Sequence, residues 1–153
     1  MESYADALAA EVADLDDYVL VGDSFGANIA LGPAVRRPAG LRALVMSGGF
    51  AADSRRLFLD HTPAKTFGSR LTAALAADYT DRLGQVDVPT LIITPSRDRL
   101  IGERAAEIMR TGIPGAREVV LDRTGHMFRF SHPATYAAAV ETFLVNEVAH
   151  AAR

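Results

Sequence analysis

Three side-chain types in this chain could together carry out acyl transfer: a serine in a glycine turn, an aspartate and a histidine. The serine is Ser24 of Gly22-Asp23-Ser24-Phe25-Gly26, a G-x-S-x-G pattern between the apolar run Tyr18 to Val21 and a helical stretch with Ile29, Leu31 and Val35. Strand, sharp turn and helix in that order hold a serine in a strained conformation at a helix N-terminus, where the Phe25 amide points at a developing oxyanion. A serine hydroxyl needs a general base, and the base needs an acid that fixes its tautomer and stabilises the imidazolium. Asp98 follows the apolar run Val88 to Thr94, and His126 follows Arg117 to Leu121. All three groups should therefore leave the same edge of a sheet, where open α/β folds place their ligand crevice.

Each residue also has a plainer reading. The glycine turn alone could be an ordinary turn capped by Ser24 or Asp23. Asp98, between Arg97 and Arg99, could be a solvated surface carboxylate, as most aspartates are. For His126 the preceding glycine and the strand end behind it favour the base. His61, His132 and His150 read as structural, and Asp14, Asp16 and Asp17 as a solvated acidic connector rather than a cation site. No metal and no cofactor is expected.

The elements that must position these groups follow from periodicity. Tyr4, Leu8 and Val12 make the stripe of an amphipathic helix over residues 1–13. Four short apolar runs, Tyr18 to Val21, Leu41 to Met46, Val88 to Thr94 and Arg117 to Leu121, lack polar alternation and suit strands covered on both faces. Helical patterns lie between them: one from Phe67 through Leu83, one with Ala105, Ile108 and Met109, and a last with Tyr136, Val140, Phe143, Leu144 and Val148 behind Pro133. Gly32-Pro33 should kink or shorten the second helix. Alternating strands and helices predict an α/β class, a three-layer α/β/α arrangement around a mainly parallel sheet of about four strands. Residues 50–85 form the longest interval between strands, where a short lid would sit.

With 153 residues the chain fits one domain, residues 1–153, and 49% apolar with 23% charged residues is ordinary globular usage. A formal charge of -3 is too small and of the wrong sign for gripping phosphate backbones, so nucleic acid is excluded as an expected partner. The absence of cysteine excludes disulfides, zinc-thiolate and iron-sulfur sites and a cysteine nucleophile. No secretory leader and no bilayer-length apolar run stands in the sequence, so a cytoplasmic protein without a membrane partner is expected.

Taken together, these motifs make the chain resemble the carboxyl-terminal part of an α/β-hydrolase-fold serine esterase. The resemblance rests on the G-x-S-x-G turn, on Val-Asp-Val-Pro-Thr-Leu-Ile-Ile-Thr-Pro-Ser-Arg-Asp ending at Asp98, on Gly125-His126-Met127 and on Ser131-His132-Pro133, and it runs over residues 1–146. It implies a cofactor-free hydrolase of a carboxylic ester, lactone or thioester, with Ser24 as nucleophile, His126 as base, Asp98 as acid and the Phe25 amide in the oxyanion hole. Some members keep the acid one strand earlier, where Asp53 stands here as the rival to Asp98. Leu57, Phe58, Leu59, Met127 and Phe128 are expected near an apolar acyl or alcohol group. Serine at the turn argues against the dehalogenase and epoxide-hydrolase branches.

The family normally begins with several further strands, and its turn after the third strand supplies a second oxyanion donor. No His-Gly pair or glycine-rich loop precedes Ser24 here. The resemblance therefore implies a truncated α/β-hydrolase fold whose turnover is lower by about 10²- to 10³-fold for want of that donor. It also implies an unpaired Tyr18 to Val21 edge that a homodimer or a partner subunit would complete. The alternative is a non-catalytic module that uses this edge to pair with another chain, or a fragment of a longer protein.

Overall fold

The computed structural model describes residues 4–52 and 76–151, with side chains of the last helix described as far as residue 147. Strands β1 (Tyr18–Asp23), β2 (Leu41–Ser47), β3 (Thr90–Pro95) and β4 (Arg117–Leu121) form a fully parallel sheet in the order β1-β2-β3-β4. Side chains alternate between its two faces, and both faces are covered, which is why the strands read as unbroken apolar runs.

Leu20, Leu44, Met46 and Ile92 point to one face and pack against helices α1 (Tyr4–Glu11), α2 (Phe25–Ala34) and α3 (Glu103–Gly112). Ala43, Val45, Leu91, Ile93 and Leu121 point to the other, against Phe128 of the short helix α4 (Phe128–Ser131) and Tyr136, Val140 and Phe143 of α5 (Pro133–Ala151). The result is the expected three-layer α/β/α arrangement. Helix α2 runs through Pro33 and stops one residue later, so Gly32-Pro33 marks its end. At Gly32 a Cβ would lie 2.2 Å from the Ala5 Cβ, so glycine there is what lets α1 lie against α2.

Most of the helical pattern from Phe67 to Leu83 lies outside the described residues. Its described end is a 3₁₀ turn over Thr80–Gln85 that buries Leu83. The chain on either side of residues 53–75 is tied to α2 by the buried Asn28, whose amide donates to the Phe50 carbonyl at 3.4 Å and the Ala77 carbonyl at 3.3 Å. A backbone bond from Tyr79 N–H to the Ala51 carbonyl, 2.9 Å, adds to this closure.

Among the described residues β1 is an edge strand, and Val21 on it is 53% exposed although its neighbour Val45 on the same face is fully buried. No helix of the described residues is long and apolar enough to cross a membrane. Asp17, in the acidic connector, accepts from Arg42 at 2.9 Å, and no group of three metal-ligating side chains occurs among the described residues.

These burials separate two substitutions. Leu44→Ala should cost about 2–5 kcal/mol of unfolding free energy, because it empties space in a closed core. Val21→Ser should change stability by about 0.5 kcal/mol or less, as surface changes usually do. Urea unfolding of the two variants checks the contrast.

Candidate active site

β1 ends at Asp23 and α2 begins at Phe25, which leaves Ser24 alone to turn the chain. Its backbone, at φ 54° and ψ -119°, occupies a region that side-chain-bearing residues rarely enter. Such a conformation costs on the order of 1–3 kcal/mol and persists only where the surroundings enforce it. Here the Ser24 amide donates to the Ser47 carbonyl at the end of β2, 2.8 Å, and the Ser24 carbonyl accepts from Ala27 N–H at 3.1 Å.

Two glycines make room for this turn. A Cβ on Gly22 would lie 2.5 Å from the Ala27 Cα, and one on Gly49 would lie 2.3 Å from the Ala27 Cβ. Gly26, the other glycine of the turn, is not crowded: a Cβ there meets nothing within 4 Å among the described residues. The second tight glycine comes from the next strand, because α2 is wedged between the ends of β1 and β2.

Asp98 and His126 sit on loops sewn together by the backbone. Ser96 N–H donates to the Leu121 carbonyl at 3.0 Å, Arg97 N–H to the Thr124 carbonyl at 2.8 Å, and Arg123 N–H to the Ser96 hydroxyl at 2.8 Å. Asp98 Oδ1 accepts from the amides of Leu100 and Ile101, 2.8 and 3.1 Å, which leaves Oδ2 facing His126 Nδ1 at 2.8 Å. On the other side of the ring, Nε2 lies 2.9 Å from the Ser24 hydroxyl oxygen. Gly48, whose φ of 51° favours glycine, lies beside the imidazole: a Cβ there would be in ordinary contact with Nδ1 at 3.5 Å and the Phe128 ring at 3.4 Å.

The donor and acceptor roles follow from the chemistry of the groups. A carboxylate only accepts, so Nδ1 carries the proton, Nε2 of the neutral ring is an acceptor, and the Ser24 hydroxyl donates to it. The Asp98 side chain is 4% exposed and that of His126 16%. Burial pushes the Asp98 carboxyl up, but the bonds from His126, Ile101 and Leu100 outweigh it and hold it below the usual carboxylate range. The bond to Asp98 pushes the imidazole up, burial opposes this, and the charges of Asp98 and Asp23 add to the rise. The arrangement is a carboxylate, an imidazole held by it through Nδ1, and a hydroxyl that donates to Nε2.

Phe25 is the first residue of α2, so its amide is among those that a helix start leaves without an intrahelical partner. Its ring stands edge-on to Tyr4, with centroids 6.1 Å apart. Met127 is 61% exposed beside the base. Phe128, expected at a substrate pocket, is fully buried, its ring packed edge-on against Tyr136 in the cluster on that face of the sheet. Asp53, Leu57, Phe58, Leu59 and His61 lie outside the described residues. His132 stands at the exposed end of α4 beside the Ser131 hydroxyl, 2.8 Å away.

Several groups that shape the site carried no signal that singled them out. Ser47, Gly48 and Gly49 end β2, Ser96 and Thr124 join the two loops, and Asp23 adds charge beside the imidazole. Asp23 is also paired with Arg129, Oδ2 to Nη2 3.3 Å.

No family model matches the chain. Over 123 residues it is 30% identical to the pimeloyl-[acyl-carrier protein] methyl ester esterase of Neisseria meningitidis serogroup C, an alignment that covers 80% of this chain and 47% of that protein. It is 28% identical to the protein of the same name from Aromatoleum aromaticum, over 92% of this chain and 78% of that one. An alpha/beta hydrolase enzyme from the sediment metagenome of the Mar Chica lagoon, Morocco, superposes with a TM-score of 0.77 at 21% identity, over 93% of this chain and 68% of that one. The chain has the α/β-hydrolase fold and is similar in sequence to esterases. It spans about half the length of the Neisseria relative.

Strain at the turn and the coupling of the two titrating groups are both measurable. Ser24→Gly should be more stable than Ser24→Ala by about 1 kcal/mol, since both lose the hydroxyl and only glycine accepts the φ; urea unfolding of the pair decides. Asp98→Asn should lower the pH at which His126 titrates, followed by its ring resonances in NMR, because the negative charge that favours the imidazolium is gone while burial still opposes it.

Proposed function

We propose that this chain carries the reacting groups of a serine hydrolase that cleaves a carboxylic ester, lactone or thioester through an acyl-enzyme. The observation that carries the reading is the continuous hydrogen-bond path from the Ser24 hydroxyl through both nitrogens of His126 to Asp98. In this reading Ser24 attacks the acyl carbon while His126 Nε2 takes its proton, and Asp98 stabilises the imidazolium without itself becoming protonated. The Phe25 amide, at the start of α2, donates to the oxyanion. His126 then returns the proton to the leaving group, and a water deprotonated by the same nitrogen hydrolyses the acyl-enzyme.

The elevated affinity of His126 for protons suits both halves of this cycle, since the base must accept a proton and then give it up near neutral pH. Among the three acyl groups, the ester is favoured by relatives named as methyl ester esterases. Exposed Met127 offers an apolar contact beside the base for an acyl or alcohol group.

A second reading is favoured by one feature of the sheet. β1 lies at an edge with Val21 half exposed, which suits pairing with a second copy or another chain, with or without catalysis. Sedimentation of the purified chain separates these: an obligate complex that fails to react at Ser24 supports the non-catalytic module, and a reactive monomer removes it.

The central test uses a chromogenic short-chain ester and a fluorophosphonate. The chain should turn over the ester and label at Ser24, and Ser24→Ala should lose on the order of 10⁴-fold or more in kcat and all labelling. Equal rates for the two proteins would remove the hydrolase reading.

A further inference from the structure

We propose that Arg129 is a positioning residue that holds the Asp23 carboxylate away from the base, so that of these two carboxylates only Asp98 bonds His126. The inference rests on the reading of Ser24, His126 and Asp98 as a hydrolytic centre.

The residue before the nucleophile is an acid. Asp23 ends β1, is joined directly to Ser24, and its charge reaches the His126 imidazole. A carboxylate in that place is a rival for the Nε2 side of the ring. Once His126 is protonated, Nε2–H becomes a donor, and a carboxylate accepts such a bond more strongly than a hydroxyl does. A captured imidazolium would hold its proton in the wrong direction, away from the leaving group that must receive it.

Arg129 answers this rival from the segment that carries the base. It lies in α4, the short helix that follows His126, and its Nη2 is 3.3 Å from Asp23 Oδ2. Two bridges therefore join the same two pieces of chain: residue 24 to residue 126 through the hydroxyl, and residue 23 to residue 129 through the ion pair. The guanidinium also lies 4.5 Å over the Phe130 ring, a stacking contact that narrows its freedom and keeps its fork turned to one partner. Asp98 orients the ring from the Nδ1 side, and Arg129 keeps the Nε2 side clear for Ser24.

Among the described residues, the charged and titratable groups around His126 are few. Asp98 comes from the loop after β3, Asp23 from the end of β1 and Arg129 from α4. Arg97 belongs to the acid loop, the exposed Asp122–Arg123 pair to the base's own loop, and Tyr136 of α5 packs on Phe128 and meets the Ser47 hydroxyl. The Asp23 and Arg129 side chains are 25% and 44% exposed, so solvent screens the pair and its effect on the ring is modest.

The test is an NMR titration of the His126 ring in the full chain, for the unsubstituted protein, Arg129→Ala, Arg129→Lys, Asp23→Asn and the double variant Asp23→Asn with Arg129→Ala. Arg129→Ala should raise the midpoint by roughly a few tenths of a pH unit, Asp23→Asn should lower it, and Arg129→Lys should restore most of the original value. In the Asp23→Asn background Arg129→Ala should add nothing, because the arginine acts through the aspartate. An unchanged or lowered midpoint in Arg129→Ala overturns the proposal, and so does an equal rise in the Asp23→Asn background, which would mean a direct charge effect on the ring. Arg129→Gln serves in place of the alanine variant if circular dichroism shows that variant unfolded. The titration requires no turnover, so it is independent of the hydrolase reading, which falls separately if a fluorophosphonate fails to label Ser24.

Discussion

The hydrogen bond between Asp98 Oδ2 and His126 Nδ1 is the interaction on which the rest of the site depends. The other carboxylate oxygen is already occupied by two backbone amides, so Asp98 cannot turn away from the ring without losing them. A bond of this kind, with one charged member, is worth about 1.5–3 kcal/mol. Its directional effect matters more than its size. It places the proton on Nδ1, leaves Nε2 as a lone-pair acceptor, and thereby decides that the Ser24 hydroxyl donates.

Bringing Ser24 within reach of that ring is a problem of distance that the sheet solves. Strand spacing of about 4.8 Å puts β4 roughly 14 Å from β1, with β2 and β3 between them. His126 leaves the end of β4 and must cross both intervening strand ends to meet a residue at the end of β1. The crossing is supported after β3, where Ser96 and Arg97 bond the outgoing loop, and it passes Gly48 after β2, a glycine that turns the chain with a positive φ beside the imidazole. Ser24 itself hangs from Ser47 of β2. Strain at one residue is thus maintained by a backbone bond from the neighbouring strand, which explains why a turn that costs free energy persists.

The same parallel arrangement accounts for what lies at the sheet margins. Leu44, Val45, Ile92 and Ile93 of the two central strands are closed on both faces by helices, while Val21 of β1 and Val120 of β4 are more than half exposed. The alignments give this asymmetry its context, since the solved relative extends beyond the 68% of its length that this chain matches. Stability comes from the two central strands. The proposed chemistry, by contrast, is drawn from all four strand ends, and its nucleophile follows one of the two half-exposed outer strands.

Much of this was legible in the residues themselves. Apolar runs without alternation specify covered parallel strands because burial on both faces leaves no polar side, and the glycine turn between strand and helix specifies where a serine must stand. The types and order of Ser24, Asp98 and His126 were equally readable, because each follows a strand and parallel strands send their ends to one rim. The tertiary structure decided what no local pattern encodes. It put Gly49 rather than Gly26 against α2, sent Phe128 into the core, and set Asp23 against Arg129 beside the base. The physical reason is the range of the forces involved: backbone propensity and side-chain alternation act between chain neighbours, whereas crowding, burial and charge depend on which distant segments the sheet brings together.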